Sequence, residues 1–253
     1  MSMVISISNQ KGGVGKTTTT CNLAAGLVKK GYRVLIIDLD PQGNLGFCVG
    51  AETETSATIY DVLKGDVKTQ FAIQKTDTAD VIISSILLSG IELEFTNTGR
   101  EYLLKEAIKP ILENYDFILL DTPPALGILT INAFTASDII VVPMLSDIFS
   151  LQGISQLYET VERVKKYCNP NLTIAGILLT KFNPRTLLGR EIRGTAELIA
   201  KDLNIRVFDA YIRTSVAASE AQSVQQNILD YSPRNNIAKD YLKFTDELLE
   251  KEA

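Results

Sequence analysis

The stretch Gln10-Lys11-Gly12-Gly13-Val14-Gly15-Lys16-Thr17, directly after the apolar run from Val4 to Ile7, decides the fold. A strand running into a glycine-rich loop, a lysine, a threonine and then a helix is the sequence form of a phosphate cradle. Glycines let the backbone approach phosphates and turn its N–H groups inward. The positive end of the following helix points at the same charge. Gly12, Gly13 and Gly15 meet the first requirement, and Val14 and Thr18 complete the nucleotide-binding stretch. Lys16 is expected to reach the β- and γ-phosphates of ATP, and the Thr17 hydroxyl to ligate Mg2+. The stretch departs from G-x-x-x-x-G-K-[ST] at two places. Gln10 replaces the first glycine, and Lys11 adds a second lysine five residues before Lys16. Lys11 sits on the entry side of the loop. It is expected to reach across a dimer interface and neutralise charge in the partner's site, as an arginine finger does.

Apolar strand-like runs alternate with helical patterns along most of the chain. Strands are predicted at 4–8, 33–39, 79–84, 117–121, 139–143, 174–180 and 206–211. Continuous β-branched and aliphatic runs of this kind mark strands buried on both faces of a parallel sheet. Helices are predicted over 17–30, ended by Gly31, and over 99–113, interrupted at Pro110. Ile154, Leu157, Val161 and Val164 recur at helical spacing over 151–168, before the stop at Asn169-Pro170. Ile237, Tyr241, Phe244 and Leu248 give the last helix an apolar stripe. Residues 50–78 are polar and weakly patterned. The whole predicts one α/β domain over 1–253, a doubly wound, mostly parallel sheet with helices on both faces and ligands at the C-terminal strand ends.

Composition narrows the chemistry. The 253 residues are 45% hydrophobic and 22% charged, as in an ordinary soluble domain. No apolar run is long enough to span a membrane, and the N-terminus enters a strand with no signal-peptide pattern. Cys21, Cys48 and Cys168 fit neither a disulfide framework nor a CxxC metal site. A reducing, cytoplasmic setting is expected. There is no histidine, so catalysis must run on carboxylates, lysines and Mg2+. A net charge of −5 means that any DNA binding needs a local basic patch.

Two further motifs fall at predicted strand ends. The second strand runs into Asp38-Leu39-Asp40-Pro41-Gln42-Gly43-Asn44, and a later one into Leu120-Asp121-Thr122-Pro123-Pro124. An apolar run followed by Asp is the Walker-B pattern, so Asp121 is expected to hold the Mg2+ shell through water. Asp40 is the candidate to orient the attacking water, and Asp38 to brace the loop. Each alone reads first as a strand-end cap or turn former; two of them downstream of one phosphate loop favour the site. Leu178 to Arg185 ends another strand, where Asn183 is either an amide for an adenine edge or an Asn-Pro turn.

Together QKGGVGKTT, DLDPQGN and LLDTPPALGILTINA resemble the ParA/Soj group of deviant Walker A ATPases. The wider class includes MinD-like proteins and the nitrogenase iron protein. The resemblance covers essentially the whole chain. It implies an ATP-sandwich homodimer, non-specific DNA binding in the ATP state, association with the nucleoid, and hydrolysis stimulated by a ParB-type activator. It also implies slow basal turnover and a role in plasmid or chromosome segregation. Carried over by position, the signature lysine is Lys11, the loop lysine Lys16, the Mg2+ threonine Thr17, the hydrolytic aspartate Asp40 and the Walker-B aspartate Asp121. Residues 143–154 resemble the family's segment near the dimer interface, with Asp147 and Gln152 where many relatives carry Glu.

One departure bears on DNA. Soj-like members read IPRNVRLSEAPS near the last strand, and both arginines of that pattern fall on Thr214 and Ala217 here. The remaining basic candidates are Arg185, Arg190, Arg193 and Arg213, with Lys201 nearby. The first three are expected on one helix, Arg190 and Arg193 one turn apart. They read as a phosphate-binding patch or as solvated helix charges. Rival readings follow from the wider class. A MinD-like membrane regulator would end in a basic amphipathic helix, whereas residues 239–252 carry five acids against three lysines. An iron-protein reading fails for want of cysteines between Cys48 and Cys168. A metabolic ligase or kinase is opposed by Lys11. A ParA-like positioner of a non-DNA cargo differs only in its partner.

Overall fold

The computed structural model describes residues 2–146 and 148–252. Its strands are β1 Met3–Ile7, β2 Val34–Asp38, β3 Gln74–Lys75, β4 Asp80–Ile82, β5 Phe117–Asp121, β6 Ile139–Leu145, β7 Thr173–Thr180 and β8 Val207–Ile212. Its helices are α1 Lys16–Lys29, α2 Asn44–Cys48, α3 Ile59–Lys64, α4 Ile91–Glu94, α5 Leu103–Ile108, α6 Ile128–Ala136, α7 Ile148–Tyr167, α8 Leu187–Asp202, α9 Val216–Ser223, α10 Ile228–Tyr231 and α11 Asn236–Glu252.

The strands form one sheet in the order β3-β4-β2-β5-β1-β6-β7-β8. Every pairing is parallel except β3 with β4. Strand alternation divides the core between the two faces. Leu35, Ile37, Ile118, Leu120, Ile140 and Val142 pack on one face with residues of α3 and α5–α8. Ile5, Ile7, Ile36, Leu119, Val141 and Phe208 pack on the other with residues of α1 and α9–α11. The sheet is the doubly wound α/β architecture expected, and all seven predicted strands form.

The differences have local causes. The helix expected over 99–113 is α5 flanked by two 3-10 turns, and the second turn, Lys109–Asn114, begins where Pro110 removes a backbone donor. The weakly patterned region holds α3, whose N-terminus is a capping box between Thr58 and Asp61. It also leads into β3, a two-residue antiparallel edge too short and polar to read from sequence. Its Lys75 pairs with Asp80 at 2.6 Å, a charge suited to a sheet edge.

Helices α1 and α11 approach closely at Gly26. A methyl group there would overlap the Thr245 hydroxyl, which donates to Tyr241 O at 2.9 Å. This contact seats α11 beside the helix that follows the phosphate loop. The apolar stripe Ile237, Tyr241, Phe244 and Leu248 is buried in the core, so that face of α11 is not offered to a membrane. Among the described residues no helix is long and apolar enough to cross one.

Candidate nucleotide site

Sheet order places β1 between β5 and β6, so the loop after β1 lies at the centre of the C-terminal edge. Gly13 and Gly15 take φ of 72° and 89°, a left-handed region that glycine enters without penalty. Gly12 has open space where a Cβ would be, so a phosphate can come close. Helix α1 starts at Lys16 with no side-chain cap, leaving its first N–H groups for an anion. The loop is braced from beneath. Buried Asn9 accepts the Lys11 N–H at 2.9 Å and donates to Pro143 O at 2.7 Å.

Lys16 is 7% exposed, and its Nζ donates to Lys11 O at 3.3 Å. Burial pulls its pKa down, while Asp121 and then Asp40 pull it back up. The two carboxylates beside it favour its charged form.

Register sets two acids side by side, because Asp38 of β2 pairs with Asp121 of β5. Asp38 is fully buried and accepts the N–H groups of Asp40 and Leu45, each at 3.0 Å. It therefore braces the loop, and burial followed by the Asp121 charge raises its pKa. Asp40 is half-buried, accepts the Gln42 N–H at 3.0 Å and lines the cleft. Asp121 is 1% exposed. Its Oδ1 is 3.4 Å from the Thr20 hydroxyl, and its buried Oδ2 has no hydrogen-bond partner. Burial pushes its carboxyl up to about 7, against opposing pulls from Thr17 and Lys16.

An orphaned buried carboxylate oxygen beside Thr17 and Lys16 fits a Mg2+–phosphate group. Among the described residues no three His, Cys, Asp or Glu side chains gather to hold a metal. The cation would rest on the Thr17 hydroxyl, on phosphate oxygens and on water bound by Asp121, the usual manner for Mg2+.

A cleft of about 750 Å3 runs from Asp40 and Pro124 past the loop to Lys181 and the segment Ile212–Val216, with Gln222, Ile237 and Tyr241 on its far wall. With Mg2+ on the side of β2 and β5, the nucleoside half of a ligand would lie toward β7 and β8.

The remaining expected residues are placed differently. Asn183 is exposed, does not line the cleft, and accepts the Arg185 N–H at 3.1 Å in an Asx turn. Helix α8 begins at Leu187, so Arg185 lies in the preceding loop, while Arg190 and Arg193 are helical. Arg193 pairs with Glu197 at 2.8 Å and Asp209 at 3.2 Å. Arg213 pairs with Asp240 at 2.6 Å. Arg185 and Arg190 are exposed and form no ion pair with a described residue. The four arginines therefore do not form one set of equivalent charges. Asp147 lies outside the described residues, and the side chain of Gln152 is likewise undescribed.

Sequence reasoning missed Asn9, Thr20, Lys181 and Gln222. Gln222 donates to the Thr18 hydroxyl at 2.8 Å across 204 positions of chain. No local pattern announces such a contact. Asn9, a polar residue buried directly after an apolar strand, did carry a signal.

Comparison with known proteins identifies relatives of the whole chain and of its fold. A family model described as an AAA domain matches residues 2–174. The sporulation initiation inhibitor protein Soj of Bacillus subtilis is 42% identical over 252 residues, covering 98% of each chain. Chromosome partitioning protein ParA of Caulobacter vibrioides is 41% identical, covering 98% of this chain and 94% of that one. The crystal structure of cobyrinic acid a,c-diamide synthase from Mycobacterium smegmatis, with bound ADP and magnesium, superposes with a TM-score of 0.87. It is 32% identical, covering 99% of this chain and 95% of that one.

Proposed function

Since the chain belongs to the ParA/Soj family of P-loop ATPases, we propose that it is an ATP-driven segregation switch. ATP and Mg2+ are its ligands. In the ATP state it forms a sandwich homodimer, binds DNA without sequence preference and associates with the nucleoid. A ParB-type partner stimulates its slow hydrolysis, and plasmid or chromosomal DNA is the cargo.

The observation that carries this reading is Lys11. Its backbone is held at the mouth of the loop, N–H to Asn9 and carbonyl to Lys16. These two bonds fix the backbone from which its side chain would reach a second subunit's phosphates. Lys16 binds the β- and γ-phosphates and Asp40 orients the water that attacks the γ-phosphorus, releasing ADP and phosphate. Bound Mg2+ supplies charge neutralisation of the phosphate oxygens. Lys11 of each subunit adds a cation to the other site only when both carry ATP, which couples dimerisation to nucleotide state.

The test is co-sedimentation with random duplex DNA, with ATP, with ADP and without nucleotide, beside Lys16→Ala. Binding confined to ATP and fading with salt is expected. Absence of binding alongside an intact ATP dimer would move the cargo from DNA to another surface.

A second reading, an ATP-dependent amide synthase, is favoured by the likeness to the cobyrinic acid a,c-diamide synthase of Mycobacterium smegmatis. ATP turnover that requires an amide donor and a carboxylate acceptor, and is indifferent to DNA, would select it.

A further inference from the structure

Thr180 and Lys181, consecutive residues at the end of β7, hold two consecutive carbonyls of the phosphate loop. The Thr180 hydroxyl donates to Val14 O at 2.8 Å, with Met144 O at 3.1 Å. The Lys181 ammonium donates to Gly13 O at 3.3 Å. In a trans peptide the carbonyl of one residue and the N–H of the next point in opposite directions. Among the described residues no peptide bond is cis. Fixing the Gly13 carbonyl therefore aims the Val14 N–H, and fixing the Val14 carbonyl aims the Gly15 N–H. These are amides of the cradle itself.

Lys181 reaches the loop at a conformational cost. Its φ is 49°, in the left-handed region that costs a residue with a Cβ about 1–2 kcal/mol. Its neighbours impose this turn. Thr180 and Phe182 are both buried. The Phe182 N–H donates to Ile212 O at 3.0 Å, and its ring meets Tyr211 edge to face at 5.1 Å. The Lys181 carbonyl accepts the Ser146 hydroxyl at 3.2 Å. Glycine or asparagine would satisfy the same backbone with less strain. A lysine whose side chain lines the cleft and touches the loop gives the strain a reason, as strained residues at functional sites do.

We propose that Lys181 is a nucleotide-positioning residue. It holds the Gly13 carbonyl away from the cradle, keeps the Val14 amide aimed at phosphate, and adds a cation to the nucleoside side of the cleft. The inference rests on the nucleotide reading of the site and adds a residue to it.

The experiment is calorimetric titration of the full chain with ADP and Mg2+, beside thermal unfolding of the nucleotide-free protein. Lys181→Met is expected to weaken binding about three- to tenfold with the unfolding midpoint unchanged. Lys181→Arg should stay within about twofold of the parent. Lys181→Gly should bind as weakly as Lys181→Met while its midpoint rises, because the strain is relieved. Parental affinity in Lys181→Met and Lys181→Gly would overturn the proposal. So would a loss in Lys181→Arg as large as in Lys181→Met, or binding losses matched by falling midpoints. A parent chain that itself fails to bind ADP and Mg2+ would overturn the nucleotide reading instead.

Discussion

Arg213 and Asp240 grip each other through both arms, Nη2 to Oδ1 at 2.6 Å and Nε to Oδ2 at 2.9 Å, and the Arg213 N–H adds a third bond to Oδ2 at 3.1 Å. The pair ties the turn after β8, one wall of the cleft, to α11. The hydrogen bonds it donates to Asp240 hold the Arg213 guanidinium above its ordinary pKa, and the Asp240 side chain is 9% exposed. An arginine so engaged has little to offer a phosphate outside. Arg213→Ala is expected to lower stability by about 1–3 kcal/mol, the cost of leaving a buried acceptor unpaired, and to leave the salt dependence of DNA binding unchanged. A flattened salt slope in that variant would return Arg213 to the DNA surface.

Arg185 and Arg190 make the opposite case. Neither is paired with an acid among the described residues, and both stand near the start of α8. Each phosphate neutralised contributes a slope of about 0.9 in log K against log salt. Replacing both by alanine should therefore reduce the slope of ATP-dependent DNA binding by up to about 2, while Arg193→Ala, which breaks pairs with Glu197 and Asp209, should not. Identical slopes in all variants would place the DNA surface elsewhere.

Much of this was legible because it is local. The strand, loop, lysine and threonine of the cradle lie within fifteen residues of one another, and the apolar runs before Asp40 and Asp121 announce strand ends. The doubly wound sheet follows from buried runs alternating with helices. What stayed hidden is non-local. Lys181 meets Gly13 across 168 positions, and Arg213 finds Asp240 only because α11 packs beside β8. Charge on a sequence shows no partner, so paired and unpaired arginines looked alike. Asn183 shows the same limit, since an Asn-Pro turn and a base-reading amide share one sequence.

Lys11 and Lys16 should separate binding from dimerisation. Lys16→Ala removes the buried ammonium at the head of α1 and should abolish ATP binding. Lys11→Ala should bind nucleotide within about threefold of the parent yet remain monomeric with ATP in analytical ultracentrifugation. A dimer formed by Lys11→Ala would end its cross-subunit role.

Asp40 has no histidine to share its task. Its replacement by alanine leaves Asp38 to hold the Leu45 N–H, so the loop should persist. Turnover should fall by about 10^2-fold or more, as for loss of a general base, and ATP dimers should accumulate. Brisk single-turnover hydrolysis by Asp40→Ala would assign the water to another group.

Asp121 sets stability against function. Its carboxyl rises from an ordinary 3.8 to about 7 in the folded chain, chiefly through burial. Below pH 4 both folded and unfolded chains carry the proton, and the group imposes no penalty. As pH rises through the unfolded value the unfolded chain ionises first, so this group draws stability down between about pH 4 and 7. Asp121→Asn removes the effect. The nucleotide-free variant should unfold several degrees above the parent at pH 8, at about 2–4 °C per kcal/mol, with a smaller gap at pH 5. The same variant should lose the Mg2+-dependent part of its nucleotide affinity, because the carboxylate that binds the metal's water is gone. Thermal scans at the two pH values decide the matter: an equal gap at both would mean that Asp121 is already ionised in the folded chain at pH 5.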